Sequence, residues 1–233
     1  MCGRYTYYPG EFSDLRIRFN LAFGLPELKQ RFNISPGQEA PIIVAKEEGD
    51  CLEMFRWGLI PSWAKEASIS YINARSETVA YKPAFKPLIG NRHCLVLANG
   101  FFEWRKEGEK KFPMHFKLKS GQIFTFPGLW DSWKQPDGNI LLTYTLLTTT
   151  PNELVKPIHN RMPVILSEDA AKQWLVCKPE TVPQCLELLK PLPGENMEAY
   201  EVSPLVNNPK NDSPECIQPI EGKSTWSSTI KII

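Results

Sequence analysis

The chain has 233 residues, with 27 Lys and Arg against 26 Asp and Glu, and a formal charge of +1 that argues neither for nor against nucleic acid. Hydrophobic residues make up 42% and charged residues 23%, a globular composition without an apolar run near the ~18 residues of a membrane span. Six cysteines form no Cys-x-x-Cys pair and there are three histidines, so neither a zinc cluster nor a disulfide framework is indicated, and no metal or cofactor is implied.

The first eight residues carry Cys2, Arg4 and three tyrosines but no apolar signal core, so a cytoplasmic location is expected. Residues 11–22 read as a helix with Phe12, Leu15 and Phe19 on one stripe. Apolar runs at 42–45 and 52–57 flank Glu47, Glu48, Gly49 and Asp50, a hairpin signal. Strands are expected at 94–98, 101–105 and 114–118, separated by a turn at Asn99 and Gly100 and by the charged stretch 106–111. Runs at 123–130 and 141–148 flank the turn residues 135–139 and form a second hairpin. Two helices follow, at 168–176 with Ser167 as cap and at 183–189. The spacing predicts an α+β chain: one β-rich domain over 1–220, a meander or barrel-like antiparallel sheet, a few short peripheral helices and a loosely held tail over 221–233. A monomer is expected.

Cys2 carries the most chemical information. Removal of Met1 leaves an α-amine and a thiol on one carbon, a 1,2-aminothiol whose two groups have ordinary pKa values of about 8 and 8.5. An aldehyde meeting this pair forms an imine that the sulfur closes to a thiazolidine. Taken alone, a cysteine at a frayed terminus needs no such role. Gly3 permits close backbone approach, and Arg4 offers a clamp for phosphate or carboxylate.

Glu103 sits among Phe101, Phe102 and Trp104, where burial would raise its pKa toward proton transfer; pairing with Arg105 is the competing explanation. His159 lies between prolines in residues 157–163 and is placed to titrate near neutrality, with Arg161 two residues on, whereas His93 and His115 read as strand positions. Asn73 and Arg75 share a face if extended, and a turn or cap explains them nearly as well. Among the aromatics, Trp57 reads as core and Trp63 as a candidate for stacking on bases. Phe85, between two Lys-Pro pairs, fits either a wedge against DNA bases or a pinned loop.

Six segments in order resemble the SRAP family, the SOS response-associated peptidases regarded as abasic-site processing proteins. They are residues 1–4, 32–36, 56–61, 72–75, 100–104 and 158–163, spread over nearly the whole chain. The resemblance implies that Cys2 is the covalent nucleophile, that Asn73 positions the amine and sugar, that Glu103 shuttles protons, and that His159 assists ring opening and crosslink reversal. It implies that Arg4, Arg75 and Arg161 hold phosphates around the lesion; Trp63 and Phe85, read from their own surroundings, are the further candidate DNA contacts. The partner implied is single-stranded DNA containing abasic sites, the place of action the cytoplasm, nucleoid-associated when bound. The family name adds a self-processing peptidase that removes Met1. Asn160 departs from the acidic residue more usual beside the histidine. A cysteine hydrolase or amidotransferase with an N-terminal nucleophile is the competing enzyme class, and a non-catalytic single-strand binder the competing module.

Overall fold

The computed structural model describes residues 2–8, 15–16, 18–23, 28–222 and 225–226. Thirteen strands, β1 to β13 in chain order, and two short α-helices are described. The strands are β1 (Tyr5–Tyr7), β2 (Leu21–Phe23), β3 (Arg31–Ile34), β4 (Glu39–Lys46), β5 (Gly49–Trp57), β6 (Asn73–Arg75), β7 (His93–Ala98) and β8 (Gly100–Glu107). There follow β9 (Lys110–Leu118), β10 (Phe124–Lys134), β11 (Ile140–Thr149), β12 (Met162–Pro163), helices α1 (Glu168–Leu175) and α2 (Val182–Glu187), and β13 (Met197–Glu201).

Both expected hairpins form. β4 and β5 pair up to Lys46 and Gly49, and β10 and β11 pair up to Lys134 and Ile140, with Gly138 at φ 89° in the connecting turn. β7 joins β4 to β10, and β11 meets β5 in parallel at Thr143–Arg56 and Tyr144–Trp57. Five strands thus close on themselves as a barrel, which leaves few open edges. A second sheet runs in the order β13, β9, β8, β1, β3, all antiparallel. The β-rich single domain with barrel-like pairing is as expected. The antiparallel expectation is corrected at three seams, since β2 and β11 run parallel to β5, and β6 runs parallel to β11.

The sequence reads Asn99 and Gly100 as a turn, but the chain instead bends there from the barrel into the second sheet. The Asn99 side chain accepts the Tyr8 N–H at 2.7 Å, its own N–H donates to the Thr6 carbonyl at 2.9 Å, and a Cβ on Gly100 would overlap the His115 ring. The physical reason is that Thr6 of β1 and Tyr8 just beyond it supply the partners for the bend, contacts about 90 residues distant in sequence. Tyr5 of β1 packs edge-on against Trp57 at 5.1 Å, and its hydroxyl bonds that of Tyr144 at 2.7 Å, locking the two sheets together.

Helix α1 turns Ala171, Trp174 and Leu175 inward, and the Trp174 indole donates to the Cys94 and Gly128 carbonyls. Val176 caps α1 rather than extending it, and α2 starts one residue earlier and ends two earlier than expected. Of the helix expected over 11–22, residues 11–14 and 17 lie outside the described residues, while Leu15, Arg16 and Arg18 are helical and the Phe19 N–H donates to the Leu15 carbonyl at 3.0 Å. Its end is corrected, because Leu21–Phe23 is strand β2, held by pairing with β5. A second correction concerns sulfur: Cys177 and Cys185 are paired as a disulfide where α1 gives way to α2. Their spacing matches no ligand motif, so only the helix packing brings them together. Cys2, Cys51, Cys94 and Cys216 are buried free thiols. Within the expected tail, Trp226 donates its N–H to the Ala199 carbonyl at 2.7 Å.

No helix among the described residues is long and apolar enough to cross a membrane.

Candidate active site

Cys2 precedes β1 and is fully buried. The Arg4 carbonyl accepts the Phe102 N–H at 3.0 Å and lies 3.5 Å from Cys2 Sγ, so the β1–β8 pairing sets Cys2 beside the strand that carries Glu103. Glu103 is buried at 4% exposure. Asn73 opens β6, and its Nδ2 donates to the Cys2 carbonyl at 2.8 Å. Its position is prepared by the Trp57 indole, which donates to the Ile72 carbonyl at 2.8 Å, and by the parallel register of Asn73 with Leu146. Asn73 Oδ1 is buried and makes no hydrogen bond, which leaves a preformed acceptor in the site.

The end of β11 brings in the remaining group. β6 flanks it on one side through Thr148–Arg75, and β12 on the other through Thr148–Pro163. His159 leads into β12, and its Nδ1 lies 3.0 Å from the Arg161 N–H and 3.2 Å from the Arg161 carbonyl oxygen, so the Arg161 backbone sets the direction of the ring and can bond either tautomer. Asn160 is exposed, and the atom that meets His159 Nδ1 is the Arg161 backbone rather than a side chain at 160.

Burial, and next the charge of Glu103, push the Cys2 thiol above its ordinary range. Burial raises Glu103 to about 7, against the opposing pull of the chain's terminal ammonium. His159 is lowered by burial and then by the same terminal charge. His93 and His115 are strand residues as expected: burial lowers them to about 4 and about 3, and they accept from the Gly90 N–H and bond the Tyr200 hydroxyl respectively. Both stay neutral structural groups. Among the described residues, no three His, Cys, Asp or Glu side chains gather as a metal site.

The candidate DNA contacts divide by exposure. Arg75 is exposed, and Trp63 is 55% exposed. Arg4 is instead bonded to Asn33 Oδ1 at 2.7 Å and to the Val206 carbonyl at 2.5 Å, and Arg161 is paired with Glu77. Phe85 is 6% exposed and packs edge-on against Tyr71 at 5.3 Å, a placement that suits the pinned-loop alternative rather than an exposed wedge. The successive turns over 78–92 direct its ring inward and leave Tyr81, four residues earlier, 79% exposed. Sequence reasoning missed Tyr81, whose only signal is an aromatic directly before Lys82. It also missed Asn33, whose Nδ2 donates to the carbonyls of Val206, Asn208 and Asn211 and so fastens the 204–217 segment to β3. Asp212 reinforces this by accepting from the Phe32 and Asn33 N–H groups.

Barrel, second sheet and a buried Cys2, its carbonyl held by the Asn73 amide beside the strand that carries Glu103, define a β-barrel protein with a buried cysteine against its second sheet. Residues 1–209 match the family described as SOS response associated peptidase (SRAP), and the chain belongs to that family. It is 47% identical over 225 residues to the abasic site processing protein YoqW of Bacillus subtilis, covering 94% of this chain and 99% of that protein. It is 34% identical to the abasic site processing protein HMCES of Gallus gallus, covering 82% of this chain and 66% of the relative. A Bacteroides thetaiotaomicron protein of known crystal structure shares the fold with a TM-score of 0.76 and 30% identity, over 83% of this chain and 87% of that one.

Proposed function

We propose that this protein processes abasic sites by trapping the ring-opened sugar aldehyde in single-stranded DNA as a thiazolidine on Cys2. The observation that carries the reading is the Asn73 amide holding the Cys2 carbonyl at 2.8 Å on the strand pair that also carries the buried Glu103. Family membership, and relatives named abasic site processing proteins, support it.

With Met1 removed, the Cys2 amine adds to the aldehyde carbon to give a carbinolamine. Loss of water, with the proton delivered by Glu103, gives the imine. The thiol then adds to the imine carbon and its proton passes to nitrogen, so that aldehyde and aminothiol become thiazolidine and one water. A carboxyl poised near 7 both gives and takes protons at neutral pH. Asn73 fixes the amine and offers Oδ1 to the sugar, and holding amine, thiol and carbon together removes much of the entropic barrier. His159, neutral at working pH, assists ring opening and reversal.

On the DNA side, Arg75 holds a phosphate, and Trp63 and Tyr81 supply stacking faces. Arg4 and Arg161 hold the walls of the site and reach phosphate only by leaving their present partners.

Intact-protein mass spectrometry after incubation with an abasic single-stranded oligonucleotide tests the reading. The expected result is a covalent adduct that disappears with Cys2→Ala and with a chemically blocked α-amine. No adduct from wild type, or an undiminished one from Cys2→Ala, overturns it.

A further inference from the structure

The guanidinium of Arg161 is occupied. Nη1 and Nη2 donate to the two carboxylate oxygens of Glu77 at 2.5 and 2.9 Å, and Nη2 also donates to the Thr148 carbonyl at 2.6 Å and contacts Thr148 Oγ1 at 3.3 Å. Arg161 Nε is buried and makes no hydrogen bond, so among the described residues Glu77 and Thr148 are what anchor this group. The Arg161 side chain is 11% exposed and that of Glu77 45%, so the pair is buried on the arginine side and open to solvent on the carboxylate side. The same residue's N–H is the donor that meets His159 Nδ1 at 3.0 Å. Glu77 lies just beyond β6, the strand of Asn73, while Arg161 lies just before β12.

We propose that Glu77 is a positioning residue for His159, acting through Arg161. A planar guanidinium gripped by two carboxylate oxygens loses its rotational freedom, and that fixes the backbone to which it is attached. The Arg161 N–H and carbonyl then stay beside Nδ1 and hold the imidazole in one orientation. One carboxylate thereby ties the strand of Asn73 to the loop of His159 and fixes the direction of its ring. Glu77 touches neither sugar nor thiol in this scheme. The assignment to catalysis rests on the thiazolidine reading, but the ring-positioning claim does not.

The test uses the full chain with Glu77→Ala, Glu77→Gln and Glu77→Asp. Nitrogen-15 and carbon-13 spectra of the His159 ring are expected to show one set of sharp signals in wild type, shifted and exchange-broadened signals in Glu77→Ala and Glu77→Gln, and recovery in Glu77→Asp. Adduct formation with abasic single-stranded DNA is expected to slow about tenfold in Glu77→Gln, a fraction of the ~10²–10⁴ that acid–base groups contribute. Wild-type ring signals retained in Glu77→Gln overturn the proposal, as does a loss confined to DNA affinity. Should wild type form no adduct, the thiazolidine reading fails while the ring spectra still decide this one. Glu77→Gln, which keeps the volume and removes the charge, decides if Glu77→Ala does not fold.

Discussion

Asn73 and Cys2 are 71 positions apart in sequence, and their 2.8 Å hydrogen bond is made through a backbone carbonyl, so it persists whatever happens to the thiol. The bond fixes the direction of the residue to which the proposed reaction assigns both nucleophiles. Asn73→Asp replaces the donor with a carboxylate facing that carbonyl. Adduct formation is expected to slow by about 10²-fold, the typical consequence of a misplaced reacting group. Time courses on denaturing gels measure the rate, and unchanged affinity for undamaged single-stranded DNA separates positioning from binding. A rate equal to wild type sinks the role.

Glu103 makes opposite predictions for activity and stability. Its folded pKa of about 7 lies above the ordinary 4.5. Between those values the folded state binds more protons than the unfolded one, so the group's contribution to stability is full below about 4.5 and lost as pH rises through about 7. Glu103→Gln is therefore expected to stabilise the protein at pH ~8 by on the order of 3 kcal/mol and to change little at pH ~4. Denaturant titrations at the two pH values check this.

The same substitution should abolish most adduct formation. In wild type the rate should rise with pH through about 7, as the carboxylate becomes available to take the amine's proton, and then level off. A Glu103→Gln profile that still rises through the same midpoint would assign the titration to another group.

Phe85 and Trp63 separate packing from contact. Phe85→Ala removes a ring that is buried against Tyr71 and should cost about 3 kcal/mol of stability, leaving the affinity of the folded protein for single strands intact. Trp63→Ala should leave the melting temperature unchanged and weaken single-strand binding by about 1–3 kcal/mol. Calorimetry and fluorescence anisotropy read the two effects; the reverse pattern would restore Phe85 as the wedge.

Arg75 is expected to act as a point contact to phosphate. Arg75→Ala should weaken binding to all single strands alike and flatten the plot of log affinity against log salt by about 0.7, one phosphate's worth. Arg4→Ala should instead lower stability, because it strips a partner from Asn33 and from the Val206 carbonyl. Salt titrations together with thermal melts distinguish the two.

Local pattern was enough for much of the fold. The hairpins β4–β5 and β10–β11, the strands β7, β8 and β9, and helix α1 all announce themselves through apolar runs bounded by Gly, Asn, Asp or a Ser cap. What escaped were chiefly features whose partners are remote in sequence. Strand β2 is held by β5, and the bend at Asn99 by Thr6 and Tyr8; the Cys177–Cys185 disulfide spans only eight positions and escaped because its spacing matches no motif. A three-residue strand has almost no intrinsic preference, so its neighbours decide its state.

For the site, ordered motifs identified Cys2, Asn73, Glu103 and His159 as residue types suited to one chemistry, because amine, amide, carboxylate and imidazole are legible as letters. Exposure and partners were not legible. Phe85 turned inward and Tyr81 outward, Arg161 was taken by Glu77 while Arg75 stayed open, and Glu103 reached its pKa of about 7 only because the second sheet buries it. Side-chain chemistry belongs to each residue, whereas desolvation and hydrogen bonding belong to the residues that the closed barrel and second sheet bring beside it.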